Sequence, residues 1–384
     1  MKFLHLGDLH IGKSLAEFDL YDDQAFILAQ ILEIALEKSV DAVLIAGDVY
    51  DKSIPSEAAV RLFDDFIKKL SDNNLKTFII SGNHDSDERL NFGSALFESN
   101  NIYISAKYSG ELYKKSFSDE YGEINIYLMP FVKASSVKRF YPDEEITTYE
   151  DAINTIISHA EIDNTQRNVI VAHQFVTASG KDIELGGSEG LSVTNVGMVE
   201  KIDSKSFNKF DYVALGHIHS GQRVGREAVR YSGSPLKYSV SEANSKKSVP
   251  IVELSKKGEL SIELIDLKPM RDLRHIKGPL KELILKANVV SPEDYIYATL
   301  TDEDYITGAI GYLQQAYPNI VKVDYDNRHS SQIDHVDITD ITKGRTFIET
   351  ISDFYSQIYG TDISEEEIEI MKTVAKEAGI DETN

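Results

Sequence analysis

The chain has 384 residues, a formal charge of −23, 42 % hydrophobic and 27 % charged residues, 10 histidines and no cysteine. Disulfides, thiolate catalysis and cysteine-based zinc sites are therefore excluded, and any metal would be held by imidazole, carboxylate, amide or water, a donor set suited to Mn, Mg, Fe or catalytic Zn. The acidic balance runs against the basic footprint usual for nucleic-acid binding.

In chain order, Lys2–Leu6 reads as a short buried strand ending at Gly7-Asp8, and 22–38 has helical spacing through Phe26, Ile27, Ile31, Ile34 and Ala35. Ala42–Ala46 is an apolar run stopped by Gly47-Asp48. Residues 56–70 are helical, with Val60, Phe63, Phe66, Ile67 and Leu70 on one face, and 77–80 is a third strand ended by Ser81-Gly82-Asn83-His84. Wholly apolar strands alternating with helices predict a parallel sheet covered by helices. Shorter strands follow at 102–104, 111–117 and 124–130, then a helix over 149–160. Residues 169–172 and 212–215 are apolar strands running straight into histidine; 229–232, 249–254 and 260–265 read as antiparallel strands. The order fits an α/β sandwich of two sheets flanked by helices. Lys268-Pro269-Met270 and Lys277-Gly278-Pro279 place a boundary at 268–282. Beyond it, Tyr295–Leu300, a helix over 306–317 and Ile320–Tyr325 form a small β-α-β unit. Two helices then close the chain: one is striped by Phe347, Ile351, Phe354, Tyr355 and Ile358, the other opens with a capping box at Ser364-Glu365-Glu366-Glu367. No apolar run approaches the roughly 18 residues of a membrane span, and the apolar opening is too short for a signal peptide, so a cytoplasmic setting without membrane contact is expected.

Five segments put metal-binding side chains directly after an apolar strand: Gly7-Asp8-Leu9-His10, Gly47-Asp48, Gly82-Asn83-His84-Asp85, Ala172-His173 and Gly216-His217-Ile218-His219. In open α/β sheets ligands bind beyond the carboxyl ends of the strands, so these ends can converge in one crevice. Glycine before the polar residue lets the chain turn and the backbone come close. Any one piece also occurs as an ordinary turn acid or loop histidine; packing does not explain all five together, each at a strand end. His5, His159, His275, His329 and His335 lack neighbouring ligand types and read as structural or surface residues.

In this order the residues resemble the calcineurin-like metallophosphoesterase superfamily. The surrounding text is similar to the nuclease subunits of SbcCD-type complexes within it. That likeness is carried by Leu6-Gly7-Asp8-Leu9-His10-Ile11-Gly12, Ala46-Gly47-Asp48-Val49-Tyr50-Asp51 and Gly82-Asn83-His84-Asp85-Ser86, followed by Glu88-Arg89-Leu90-Asn91-Phe92-Gly93-Ser94. Gly233-Ser234-Pro235-Leu236-Lys237-Tyr238-Ser239 and Tyr317-Pro318-Asn319-Ile320 extend it. The resemblance implies two divalent ions, Mn2+ by family preference. Asp8, His10, Asp48 and His219 would hold one; Asp48, Asn83, His173 and His217 would hold the other, with Asp48 bridging. His84 would be an outer catalytic histidine oriented by Asp85. Two ions roughly 3.5–4 Å apart can clamp the oxygens of a phosphodiester and activate water, while His84 stabilises the transition state or protonates the leaving oxygen.

The same resemblance implies a nuclease domain over 1–270, a small α+β DNA-capping domain over 280–335 and a helical tail over 340–384 that docks an SbcC-type ATPase, in a heterotetramer of two chains of each kind. The expected activity is a 3′→5′ exonuclease on double-stranded DNA ends and an endonuclease on single strands and hairpins, serving repair, recombination and replication and nucleoid-associated when on DNA. Ser179-Gly180-Lys181-Asp182 lacks the upstream glycine and the hydroxyl of a phosphate-binding loop, so ATP hydrolysis falls to the partner. Helix 56–70 and the segment after Asp85 resemble the family's homodimer surface. Arg271, Arg274, Lys277, Lys281 and Lys286 give the capping unit a basic approach; in so acidic a chain, a partner would supply part of the DNA grip. The alternatives are a small-molecule phosphodiesterase or nucleotidase, which would leave the capping unit and tail unexplained, and a catalytically dead scaffold, which the complete ligand set disfavours.

Overall fold

The computed structural model describes residues 1–178, 183–184, 201–327, 348–349, 351–352, 355–356 and 363–377. The chain divides into two compact units, Met1–Leu273 and Arg274–Asn384.

In the first unit, β1 (Lys2–Leu6), β2 (Ala42–Ala46) and β3 (Lys76–Ile80) run parallel in a six-stranded sheet. Ile102–Ser105 extends it on one side, the antiparallel pair Ser248–Leu254 and Leu260–Asp266 on the other. β4 (Arg167–His173) and β5 (Tyr212–Gly216) are parallel neighbours at the middle of a second six-stranded sheet. These strands read as continuous apolar runs because both of their faces are covered; every residue of β2 and β4 is buried. Phe3, Leu44, Phe78 and Ile80 meet Ile126, Val169, Val171 and Ala214 between the sheets. Ile153, Ile156 and Ile157 of helix Tyr149–His159 cover Ile170, Val213 and Leu215 on the far side. The result is the expected α/β two-sheet sandwich.

Two helices depart in detail from the expected stripes. α1 (Tyr21–Glu37) buries Ile27, Leu28, Ile31, Ile34 and Ala35 but leaves Phe26 42 % exposed. α2 (Glu57–Asp72), capped by the Ser56 hydroxyl, packs on β3 through Ala59, Leu62, Phe63, Phe66, Ile67 and Leu70 and leaves Val60 outside. The expected antiparallel strand at 229–232 is Arg226–Tyr231, which lies parallel to β5 and antiparallel only to the short Gln222–Val224 before it. Gly225, at φ 70°, makes the hairpin turn between those two strands, a turn the sequence pattern does not announce.

The second unit carries a three-stranded sheet in the order Leu273–Gly278, Tyr295–Leu300, Ile320–Tyr325, the last two parallel. Leu280, Ile296, Ala298, Leu300, Leu313 and Tyr317 form its core, and the expected helix is the shorter Ala309–Gln314. The 268–282 stretch read as a boundary thus contains a strand. Arg274, His275 and Lys277 hide it, since only an edge strand carries so many polar residues. Helix Glu365–Glu377 opens as expected: Ser364 Oγ accepts from the Glu367 N–H at 3.3 Å, and the Glu367 carboxylate accepts from the Ser364 N–H at 2.9 Å. Of the apolar stripe before it, Phe347, Phe354 and Ile358 lie outside the described residues, as do Ser179-Gly180-Lys181-Asp182, His329 and His335. Among the described residues no helix is long and apolar enough to cross a membrane.

Candidate metal centre

The carboxyl ends of β1 to β5 meet, and the five expected segments meet with them. Asp8, His10, Asp48 and His217 leave their strands at φ 54°, 42°, 48° and 103°, where side chains other than glycine are strained, a cost of order 1–3 kcal/mol each that persists only where the surroundings impose it. Backbone bonds impose it here: Asp8 N–H donates to Gly47 O at 3.1 Å and His10 N–H to Asp48 O at 2.9 Å. The Asp8 carboxylate accepts from His217 N–H at 2.9 Å, and Asp48 Oδ1 accepts from His84 N–H at 2.9 Å.

The strand ends are as close as glycine permits. A Cβ on Gly216 would stand 1.9 Å from the Ala46 carbonyl oxygen, and one on Gly82 would stand 2.1 Å from Asp48 Oδ1. Gly216→Ala is therefore expected to cost about 3 kcal/mol or more through forced backbone displacement, measured as a fall in the denaturation midpoint. An unchanged midpoint would mean that the two sheets can separate here freely.

The imidazoles line up as a ligand set. His173 Nδ1 faces the Ala46 carbonyl at 2.7 Å; a carbonyl only accepts, so Nδ1 carries the proton and Nε2 points into the site. There it lies 3.1 Å from Asn83 Oδ1 and 3.4 Å from Asp48 Oδ2. His217 Nδ1 approaches the same Asn83 oxygen at 3.0 Å. On the other side, His10 Nε2 and His219 Nε2 are 3.1 Å apart, and Asp48 Oδ2 is 3.6 Å from His10 Nε2. Ligand atoms of Asp8, His10 and His219 lie within 4.8 Å of one another, as do those of Asp8, Asp48 and His173, and those of His10, Asp48 and His84. Lone pairs converging at this spacing repel unless a proton or a cation stands among them, so the residues fit a pair of divalent ions.

Electrostatics agree. Burial pushes the Asp8 carboxyl up to about 6, against the pull of His173 and His219. Burial likewise opposes charge on Asp48, but His173 and His10 outweigh it and hold the carboxylate low. Burial would lower His173; Asp48, with help from Asp8 and the Ala46 carbonyl, raises it instead to about 9. The proton on His173 Nε2 thus takes the place a cation would take. Burial drives His10 well down and His217 to about 3, keeping both imidazoles neutral.

One expected role is corrected. Asp85 does not orient His84: its carboxylate accepts from the N–H groups of Gly82, Val49 and Tyr50 at 2.9 to 3.1 Å, bracing the loop that bears Asp48. His84 Nδ1 instead donates to the Asp51 carbonyl at 2.9 Å, leaving Nε2 for the mouth of the site. Two further residues, Gln24 and Tyr238, are not evident from the sequence. Gln24 on α1 donates to His10 O at 2.8 Å, and Tyr238 donates to Leu9 O, so both hold the loop carrying His10. The motif containing Tyr238 is visible in the sequence, but nothing in it tells what the hydroxyl reaches.

His5 and His275 are structural, as expected: His5 bonds Tyr212 at 2.8 Å between the sheets, and His275 stacks on Tyr297. The basic stretch is less free than it reads. Arg271 is paired with Asp23, Arg274 with Asp294 at 2.6 Å and Lys277 with Asp326; Lys281 and Lys286 are exposed.

Residues 1–221 match the calcineurin-like phosphoesterase family and 269–358 the type 5 capsule protein repressor C-terminal domain. The chain is 34 % identical to the SbcD subunit of the nuclease SbcCD from Staphylococcus epidermidis, over 88 % of its length and 89 % of that protein. It is 32 % identical to the corresponding SbcCD nuclease subunit of Staphylococcus saprophyticus, over 99 % of its length and the whole of that protein. Among solved structures, TT1561 of Thermus thermophilus matches 68 % of the chain and 98 % of its own, at 13 % identity and a TM-score of 0.39.

Proposed function

The chain belongs to the calcineurin-like phosphoesterase family and, within it, to the SbcD nuclease subunits, and from that footing we propose that the strand-end cluster is a two-cation centre hydrolysing DNA phosphodiesters. It is a phosphodiester hydrolase and a nuclease subunit; the small-molecule alternative is not favoured. The observation that carries the proposal is the approach of both Asn83 Oδ1, at 3.1 Å, and the buried Asp48 Oδ2, at 3.4 Å, to His173 Nε2.

Asp8, His10, Asp48 and His219 would hold one ion, and Asp48, Asn83, His173 and His217 the other; the imidazole, carboxylate and amide set accommodates Mn2+, the ion the family resemblance implies. Bound there, divalent ions supply Lewis acidity, drawing charge from the phosphoryl oxygens and lowering the pKa of water. The protein's own part is orientation and proton traffic. Asp48 lies between the two halves of the set, and Gln24 and Tyr238 fix the His10 loop. His84, held at Nδ1 by Asp51, presents Nε2 where a phosphoryl oxygen or the departing sugar oxygen would lie, and in its protonated form can donate to either.

The 3′→5′ exonuclease and hairpin endonuclease activities, the cytoplasmic setting, the capping role of 280–335 and docking of an SbcC-type ATPase by the tail, two chains of each, belong to the same proposal. A homodimer is supported by Ile54, Val60, Phe92 and Leu96 around α2 and the following segment, 71 %, 44 %, 83 % and 76 % exposed. The test is purified protein with Mn2+, offered hairpin DNA and a chromogenic phosphodiester. Cleavage of the hairpin is expected, and turnover of the small ester alone would overturn the DNA assignment.

Metal uptake should be proton-linked, with a sign fixed by His173. Above pH 6 Asp8 is already ionised, but His173, at about 9, must surrender its Nε2 proton to bind. Between pH 6.5 and 9, Mn2+ binding should release about one proton and tighten as pH rises, and below pH 6 Asp8 should add a second. Calorimetry in buffers of different ionisation enthalpy reads the proton count; a count of zero at pH 7.5 would contradict the placement of His173.

A further inference from the structure

We propose that Glu242 and Lys247 are positioning residues for the cation site, a buried ion pair that sets the tautomer and place of His219. The proposal rests on the two-cation reading. His219 approaches His10 through Nε2 at 3.1 Å, so its Nδ1 faces away from the cluster, where Glu242 Oε1 lies at 3.5 Å. A carboxylate only accepts, so Nδ1 keeps the proton and the Nε2 lone pair stays directed at the ion.

Glu242 is itself fixed. It is 1 % exposed; Lys247 Nζ donates to its Oε2 at 2.5 Å, and the Tyr238 N–H donates to Oε1 at 3.3 Å. Lys247 spends its other two donors on Ser234 Oγ at 2.8 Å and on the carbonyl of His219 at 2.9 Å. One ammonium therefore anchors both the carboxylate that holds the His219 ring and the backbone of the same residue. A buried ion pair loses hydration on both partners, and an apolar pair of similar volume is often as stable. Packing alone gives no reason for charge here, whereas a ligand histidine that must present a bare Nε2 does. Glu242 and Lys247 lie between the two regions that match known families, and nothing in their own sequence marks them.

The test uses the full chain and Mn2+ alone. Breaking one partner would strand a buried charge, and an amide would keep an acceptor at His219 Nδ1, so both are replaced together in Glu242→Met with Lys247→Met. Calorimetry should find two bound ions in the unchanged protein; in the double variant one ion should weaken by about 10- to 100-fold and the other stay within about threefold. A folded double variant that binds both ions as tightly as the unchanged protein would overturn the proposal. A second measurement does not depend on the variant folding. Nitrogen-15 spectra of histidine-labelled, metal-free protein, with the His219 ring identified by its loss in His219→Gln, should show the proton on Nδ1. A proton on Nε2 would also overturn it. Failure of the unchanged protein to take up any Mn2+ would instead sink the two-cation reading, and this proposal with it.

Discussion

Asp48→Asn is expected to abolish occupancy of both ion positions and to lower DNA hydrolysis by about 10³-fold or more, some 4 kcal/mol of barrier at 1.36 kcal/mol per decade. Asp48 is 2 % exposed, with Oδ2 3.6 Å from His10 Nε2 and 3.4 Å from His173 Nε2, so it is placed to serve both halves. The amide keeps an acceptor for the His84 N–H, so the loop should hold its shape and the loss should lie in charge. A second signature separates this from misfolding. In the metal-free protein His173 sits near 9, above its unfolded value of 6.5, so its pairing with Asp48 stabilises fully below 6.5 and is lost as pH rises through 9. The variant should lack that decline. Metal analysis and thermal melts across pH 6 to 10 test both statements, and retention of two ions by the variant would refute the bridging role.

Much of this centre was legible because its two ingredients leave different marks. β2 shows as Ala42-Val43-Leu44-Ile45-Ala46 because both of its faces are buried. Asp48, Asn83, His173 and His217 show because each follows such a run with no packing use. What was not legible depends on pairings far apart in the chain. Gln24 and Tyr238 approach each other across 214 residues, and no local pattern ties either to His10. The resemblance implied that Asp85 orients His84, whereas its carboxylate accepts from three backbone N–H groups that no local pattern announces. The strand Leu273–Gly278 escaped because Arg274, His275 and Lys277 made an edge strand look like a linker. Sequence also could not show that Arg271, Arg274 and Lys277 each hold a carboxylate.

His84→Ala should lower hydrolysis by about 10²- to 10⁴-fold, the range of a lost general acid or transition-state donor, while the protein keeps two ions. The geometry makes the second half of that statement demanding. A His84 ligand atom lies within 4.8 Å of those of His10 and Asp48, close enough for the imidazole to be a ligand itself. Against that, Nδ1 is committed to the Asp51 carbonyl at 2.9 Å, and the ring meets His10 edge-on with centroids 4.8 Å apart, outside the pairs that converge on Asn83 and on His219. A ligand role predicts that His84→Ala loses about one equivalent of Mn2+ and that activity returns at high Mn2+. A role on the phosphate predicts full metal content and no rescue. Asp85→Asn supplies the contrast: it should weaken the loop bearing Asp48, through the Val49 and Tyr50 N–H groups it receives, and so reduce metal affinity and stability together. If Asp85→Asn instead reproduced the pure rate defect of His84→Ala, the two side chains would have to act as a pair after all.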